Sequence, residues 1–209
     1  MVTTYRVQLP LTEEQVRSFD LGDMVSLSGE IVITAGLPTH QRMIEKIDAG
    51  EPMPIDMTGA ALIHFGGQTR EVDGRVKILY MNPTTSTRFN PYMPKIISSF
   101  GLRVVGGKGG LHAESVRAMK ETGCIYLSFP GGGCTLLSNA IRETVSVNWS
   151  DLLMHYRLVQ VRVEDLGPGT VAIDARGNSL FDILRAQAND RLPAIMEALN
   201  IARGMAKGG

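Results

Sequence analysis

Two short turns concentrate the residues best able to act on a ligand. The first is Pro83-Thr84-Thr85-Ser86-Thr87-Arg88, four hydroxyls followed by a guanidinium. The second is Gly106-Gly107-Lys108-Gly109-Gly110, a flexible turn carrying one ammonium. Glycine lets backbone amides approach a ligand closely. Arginine pairs bidentately with a carboxylate. A cation in the first turn of a helix also runs against the helix dipole, which favours acids there. An anionic ligand is the chemistry that would hold Arg88 in such a place. Each turn follows a predicted strand, and two such turns from neighbouring strands would converge on one small anion. The pattern reads as an anion site built for a carboxylate.

Each signal also has an ordinary structural reading. Hydroxyl residues after a strand are common helix N-caps. The glycine run serves equally as a tight strand–helix turn with a solvated lysine. It is not a phosphate loop. That motif needs Gly five residues before the Gly-Lys pair, where Leu102 stands, and Ser or Thr after the Lys, where Gly109 stands. His40 sits near the start of a short predicted helix, and His64, His112 and His155 have no acid or Cys partner at motif spacing. Cys134 follows Pro130-Gly131-Gly132-Gly133 with no Cys–His signature around it, which favours a small buried residue. Asp174 reads as a turn or bridging residue.

The elements that must position these turns are legible in outline. Met24 to Thr34 alternates apolar and polar, the period of a half-buried strand, with Gly29 marking a bulge. Pro38 to Ile47 reads as a short helix. Ala60 to Phe65 is a short strand closed by Gly66-Gly67, and Glu71 to Gly74 a hairpin turn into Val76–Tyr80. Pro91 and Pro94 restrict the helix after Arg88 to its second half. A buried strand over 102–105, a helix over 111–122 capped by Gly123, and a strand over 124–129 follow. Strand–helix–strand–helix–strand over 76–129 implies a parallel sheet with right-handed crossovers. Ligands in such sheets sit at the carboxyl ends of strands. Asn82–Arg88, Gly106–Gly110 and Pro130–Gly133 all fall there. Farther on, 158–166 and 170–174 read as a hairpin turned by Gly167-Pro168-Gly169. Residues 181–203 form one amphipathic helix, with Pro193 as a bend, and 204–209 a frayed tail. Residues 1–22 read as an N-terminal arm, with Thr12 and Gln15 placed to cap a short helix.

The 209 residues suit a single domain, with 44% hydrophobic and 20% charged residues. Lys+Arg and Asp+Glu are each 21, so charge gives no reason to expect nucleic acid or a membrane surface. No run reaches the length of a membrane helix, and the N-terminus lacks the apolar core of a signal peptide. A cytoplasmic location is the expectation. Two cysteines cannot complete a four-Cys metal or cluster site.

Taken together, the segments resemble the β subunit of iron–sulfur hydro-lyases of the L-tartrate dehydratase and class I fumarase type, equivalent to the C-terminal domain of the one-chain fumarases. The matching stretches run in family order from Gly22-Asp23 through Thr34-Ala35 with His40 and Arg42, the Thr84 and Lys108 turns, Phe129–Cys134 and Trp149, to Ile173-Asp174 and Gly177–Leu180. The resemblance implies an α/β fold, a swivelling β/β/α domain with a central, partly parallel sheet. It implies a [4Fe–4S] cluster supplied by a partner α subunit, and no metal site on this chain. By residue match, Thr84 and Lys108 are the catalytic candidates. Arg88, Lys108, Thr85, Gly107 and His40 form the expected substrate-binding set. The implied assembly is a hetero-oligomer acting on a small hydroxycarboxylic acid, with a homodimer as the alternative for the chain alone. One departure stands out. Where the family carries Arg-Asp shortly before the His, this chain has Gly36-Leu37, with Arg42 as the nearest replacement. That leaves open a non-catalytic carboxylate-binding or assembly subunit, and a stand-alone enzyme using Cys134.

Overall fold

The computed structural model describes residues 3–204. The last five residues of the expected tail, 205–209, lie outside that range. The order is β1 (Thr4–Gln8), α1 (Glu13–Arg17), β2 (Met24–Ile33), α2 (Leu37–Ala49), β3 (Ala61–Ile63), β4 (Phe65–Val72), β5 (Arg75–Pro83), a 3₁₀ turn (Ser86–Phe89), α3 (Met93–Phe100), β6 (Val104–Gly107), α4 (Ala113–Thr122), β7 (Ile125–Ser128), α5 (Cys134–Ser138), β8 (Ile141–Asn148), a 3₁₀ turn (Met154–Tyr156), β9 (Leu158–Ile173) and α6 (Leu180–Ala202).

Seven strands form one mixed sheet in the order β1-β2-β3-β6-β7-β9-β8, and β2 also pairs with β9. That extra pairing closes β2, β3, β6, β7 and β9 into a ring. Strand alternation then sorts the side chains. Ala61, Ile63, Val104, Ile125 and Leu127 point into the ring with Val25, Leu27, Val161 and Val171. Their sequence neighbours Leu62, Val105 and Tyr126 point outward, under a layer built from Met43, Phe89, Ile96 and Met119. Short, wholly apolar strands are what a sheet buried on both faces requires. The α/β class and partly parallel sheet expected from sequence are present: β1–β2, β2–β3, β3–β6 and β6–β7 run parallel.

Four sequence readings change. The stretch taken as an arm is structural: β1 extends the sheet beside β2, and Leu11, Val16 and Phe19 are buried in the core. Its capping box, Thr12 with Gln15, forms as the sequence suggests. Gly66-Gly67 does not close a strand but lies within β4, which pairs only with β5. So β5 belongs to a separate hairpin, turned at Asp73-Gly74 with φ of 54° and 71°, both positive as a type I′ turn needs. Gly167-Pro168-Gly169 does not reverse the chain. β9 continues antiparallel to β2 from Val159↔Ile33 to Thr170↔Met24. A Cβ on Gly167 would lie 2.8 Å from the Val25 carbonyl oxygen, so the glycine serves close strand approach. Finally β8, which pairs with β9, carried too irregular an alternation to be read from sequence.

Candidate functional site

The chain leaves the sheet at His64, makes the β4–β5 hairpin, and returns at Pro83. Backbone hydrogen bonds fix the return. Thr84 N–H donates to the His64 carbonyl at 2.8 Å, Ser86 N–H to the Lys108 carbonyl at 2.8 Å, and Lys108 N–H to the Thr84 carbonyl at 3.1 Å. Thr85 and Lys108 thus form a parallel bridge past the end of β6. The two turns are neighbours, as expected, but by a different route. The strand before Thr84 lies outside the main sheet, and the returning segment takes the place beside β6 that β3 vacates.

A cleft of about 520 Å³ opens above this junction. Thr84, Arg88 and Lys108 form one side, Gly66, Gln68, Tyr80 and Asn82 of the hairpin another, and Ala35 with Met154, His155 and Tyr156 the third. Arg88 is exposed, and its Nη2 donates to Thr84 Oγ1. Its Cζ lies 5.6 Å from the centre of the Phe89 ring, which supports the guanidinium from behind. Lys108 is half-buried. Among the described residues, no carboxylate pairs with Arg88 or Lys108, although twelve such pairs occur elsewhere. Two unneutralised cations lining the same cleft as the Thr84 hydroxyl give it a positive end suited to an anion.

The third wall is fastened rather than loose. Ala35 N–H donates to the His155 carbonyl at 3.0 Å, Thr34 Oγ1 to the Tyr156 carbonyl at 3.1 Å, and Thr39 Oγ1 to the same carbonyl. The backbone of Tyr156 therefore presses on Gly36. A Cβ there would lie 2.7 Å from Tyr156 Cβ and 2.5 Å from Thr39 Oγ1. A side chain at position 36 would force Tyr156 or Thr39 to shift, the Tyr156 backbone included. Arg42 does not replace the missing arginine. It binds Asp151 bidentately at 2.7 and 3.0 Å and lies over Trp149.

Behind the cleft lies a buried polar hub that sequence reading missed. His64 Nδ1 is 2.8 Å from Ser86 Oγ, which is 2.8 Å from the Tyr126 hydroxyl, and Gly110 N–H donates to that hydroxyl at 3.3 Å. One set of donors satisfies the row: Gly110 N–H to Tyr126, Tyr126 O–H to Ser86, Ser86 O–H to His64 Nδ1. His64 is then neutral, with its proton on Nε2, a buried atom that has no hydrogen-bond partner among the described residues. Burial, followed by the nearby His40 and the Arg88 charge, pushes its pKa well down, in agreement. Burial pushes the Tyr126 hydroxyl up, so it stays a donor. The hub joins the end of β3, the Thr84 turn and the loop after Lys108. Its signal in sequence was Tyr126 in the middle of an apolar strand, since a buried Tyr needs a partner for its hydroxyl.

The expected site residues therefore divide. Thr84, Arg88 and Lys108 meet at the cleft. Thr85 and Gly107 lie behind it and shape the backbone. Gly107, at φ 153°, leaves room for Ser86 Oγ, which a Cβ would approach to 2.3 Å. His40 does not reach the cleft. It is fully buried, stacked on Phe89 at 4.0 Å, and its Nδ1 is 2.6 Å from the Gly36 carbonyl. Burial holds its pKa down at about 4. His155, set aside for want of a partner, lines the cleft instead. Asp174 is structural, accepting from the backbone of Arg176 and Asn178 at 2.9 Å each. A larger cleft of about 720 Å³ lies near Glu30 and Arg162, where Arg162 pairs with Glu30 at 2.8 Å and Arg142 with Glu164 at 2.7 Å.

Residues 2–184 match the family model described as "Fumarase C-terminus". Three curated proteins are similar over most of this chain. It is 30% identical over 183 residues to "Putative L(+)-tartrate dehydratase subunit beta" of Methanocaldococcus jannaschii, covering 87% of this chain and 93% of that one. It is 28% identical over 190 residues to "L(+)-tartrate dehydratase subunit beta" of Escherichia coli K12, covering 91% and 92%. It is 31% identical over 192 residues to "Putative fumarate hydratase class I" of Geobacillus stearothermophilus, covering 91% of this chain but 36% of that longer protein.

Proposed function

The chain belongs to the Fumarase C-terminus family, and on that premise we propose that it is the β subunit of a two-subunit hydro-lyase. The reaction is the reversible loss of water from a hydroxycarboxylic acid to give an unsaturated acid, and the partner is an α subunit. The observation that carries this reading is the cleft itself: Arg88 and Lys108 unneutralised, with the Thr84 hydroxyl in contact with Arg88 in the same cleft.

The chemistry assigns each residue a task. Lys108 and Arg88 hold a substrate carboxylate, and the fastened wall at Tyr156 limits where its other end can lie. In dehydration Thr84, as the alkoxide, takes the proton from the carbon adjacent to the one that bears the departing hydroxyl and becomes the neutral hydroxyl. A neutral threonine is a weak base, but Arg88 donates to its oxygen, and a cationic donor stabilises that oxygen when it carries negative charge. In the hydration direction the same hydroxyl delivers its proton to the alkene carbon. The [4Fe–4S] cluster of the resembling enzymes would act as a Lewis acid on the leaving hydroxyl. The described residues of this chain do not fit such a cluster. Cys124 is buried with its thiol pushed up, Cys134 stands apart, and no group of three or more His, Cys, Asp or Glu is placed to hold a metal. We assign the cluster to the α partner and derive no step through it.

The test is co-expression with an α-type subunit and anaerobic assay of a panel of unsaturated mono- and diacids. Turnover of at least one acid is expected, with KM raised about 10- to 100-fold in Lys108→Met while folding stays intact. A cluster-loaded complex that binds carboxylates but turns over none would overturn the enzymatic reading in favour of a carboxylate-binding subunit.

A further inference from the structure

Helix α6 leaves the body after its first turn. Leu180 and Phe181 pack against the outer core, Phe181 edge-on to Tyr126 at 6.0 Å. From Asp182 onward every residue of the helix is exposed. That leaves about 30 Å of free helix, at 1.5 Å per residue. Most helical stability in proteins comes from packing an apolar face, and the free part of α6 packs on nothing among the described residues. It also exposes large apolar side chains: Leu184 is 60% accessible, Leu192 51%, Ile195 52% and Leu199 41%.

The pattern along it is ordered. At about 100° per residue, Leu184, Ala188, Leu192, Ile195 and Leu199 fall on one stripe about 80° wide. The match to the family model ends at residue 184, so most of this stripe lies beyond the family model.

We propose that α6 pairs antiparallel with α6 of a second copy of this chain, across a twofold axis beside Leu192. Reversing the helix lays the stripe on itself, with Leu184 against Leu199 and Ala188 against Ile195. Charge selects the same direction. Asp182 stands at the start of the free segment and Arg203 just past its end. Antiparallel pairing sets each Asp182 beside the partner's Arg203. Parallel pairing would set like beside like at both ends. The present contact of Asp182, to Arg185 at 3.3 Å, joins two side chains that are 57% and 64% exposed and holds little against exchange. The one like-charge approach is Arg191 beside the axis, where Asp190 of each copy is the adjacent residue. An isologous pair of this kind closes on itself and needs no further copies.

Sedimentation velocity of the full chain alone, over a wide micromolar range, tests this. A monomer–dimer equilibrium is expected. Ile195→Asp should give monomer with an unchanged melting temperature of the body, because Ile195 touches nothing in it. Asp182→Arg and Arg203→Asp should each weaken the dimer about tenfold, since two symmetric pairs turn repulsive. The double swap should restore it. The proposal fails if the chain is monomeric throughout, if the dimer survives Ile195→Asp, or if the double swap is no better than the singles. A stripe covered only when an α subunit is added would also overturn it.

Discussion

Gly107→Ala is the substitution for which the structure makes the sharpest demand. The new methyl would sit 2.3 Å from Ser86 Oγ and 3.1 Å from both His64 Cβ and the Thr84 carbonyl oxygen, on a backbone at φ 153°. A side chain at such a φ costs about 1–3 kcal/mol. Ser86 must also move, which breaks its two 2.8 Å contacts and strands buried polar groups of His64 and Tyr126. Each stranded group costs about 1–3 kcal/mol, so the substitution should destabilise by roughly 3–9 kcal/mol. That is a large fraction of the roughly 5–15 kcal/mol that holds a domain together. Ser86→Ala alone should cost about 2–6 kcal/mol, again by stranding His64 and Tyr126. If the clash with Ser86 Oγ is the cause, the double variant must fall well short of the sum, by about 2 kcal/mol or more. Chemical denaturation of the four proteins reads this cycle. Strict additivity, or a Gly107→Ala cost under about 1 kcal/mol, would refute the hub as drawn.

Other expectations can be stated briefly. His40 is buried neutral with its pKa near 4, against an ordinary value of 6.5, so the unfolded chain binds more protons between those values. Its contribution is complete above pH 6.5 and is lost as the pH falls toward 4, by up to about 3 kcal/mol. Melting curves from pH 7 to 4.5 should be flatter for His40→Leu than for wild type, and equal slopes would remove His40 as the cause. Tyr126→Phe takes the donor from Ser86 while keeping the ring, so kcat of the assembled enzyme should fall about tenfold or more, with a smaller change in melting temperature. An unchanged kcat would make the hub purely structural. Gly36→Arg should fail to fold stably, because Tyr156 and Thr39 occupy the space, and a soluble variant of wild-type stability would contradict the fastened wall. Lys108→Met should raise KM about 10- to 100-fold by removing one charged contact to a carboxylate, and an unchanged KM would exclude it from binding.

Much of the site was legible because its chemistry lies in short local stretches. Thr84 to Arg88 and Gly106 to Gly110 announce turns by composition alone, and backbone pairing then brings them together. What could not be read was long-range. Nothing near Gly36 says that Tyr156, 120 residues later, will press on it. Nothing near Ser86 says that it will face His64 and Tyr126. Gly167-Pro168-Gly169 carries every mark of a turn, and only the continuous partner strand β2 reveals a straight course with close approach. Residues 1–22 looked peripheral because Leu11, Val16 and Phe19 are isolated apolar positions, too sparse to show periodicity but enough to bury. His40 stood beside a recognisable motif, and only burial shows that its ring serves packing on Phe89.

At the centre of the proposed reaction, Thr84, held by Arg88, moves the proton in hydration and dehydration. Steady-state kinetics of Thr84→Ala in the assembled, cluster-loaded complex tests this most directly. Removing a proton-transfer group should lower kcat about 10²- to 10⁴-fold while KM changes little, because Arg88 and Lys108 still hold the carboxylate. A Thr84→Ala enzyme that turns over at the wild-type rate would contradict that role.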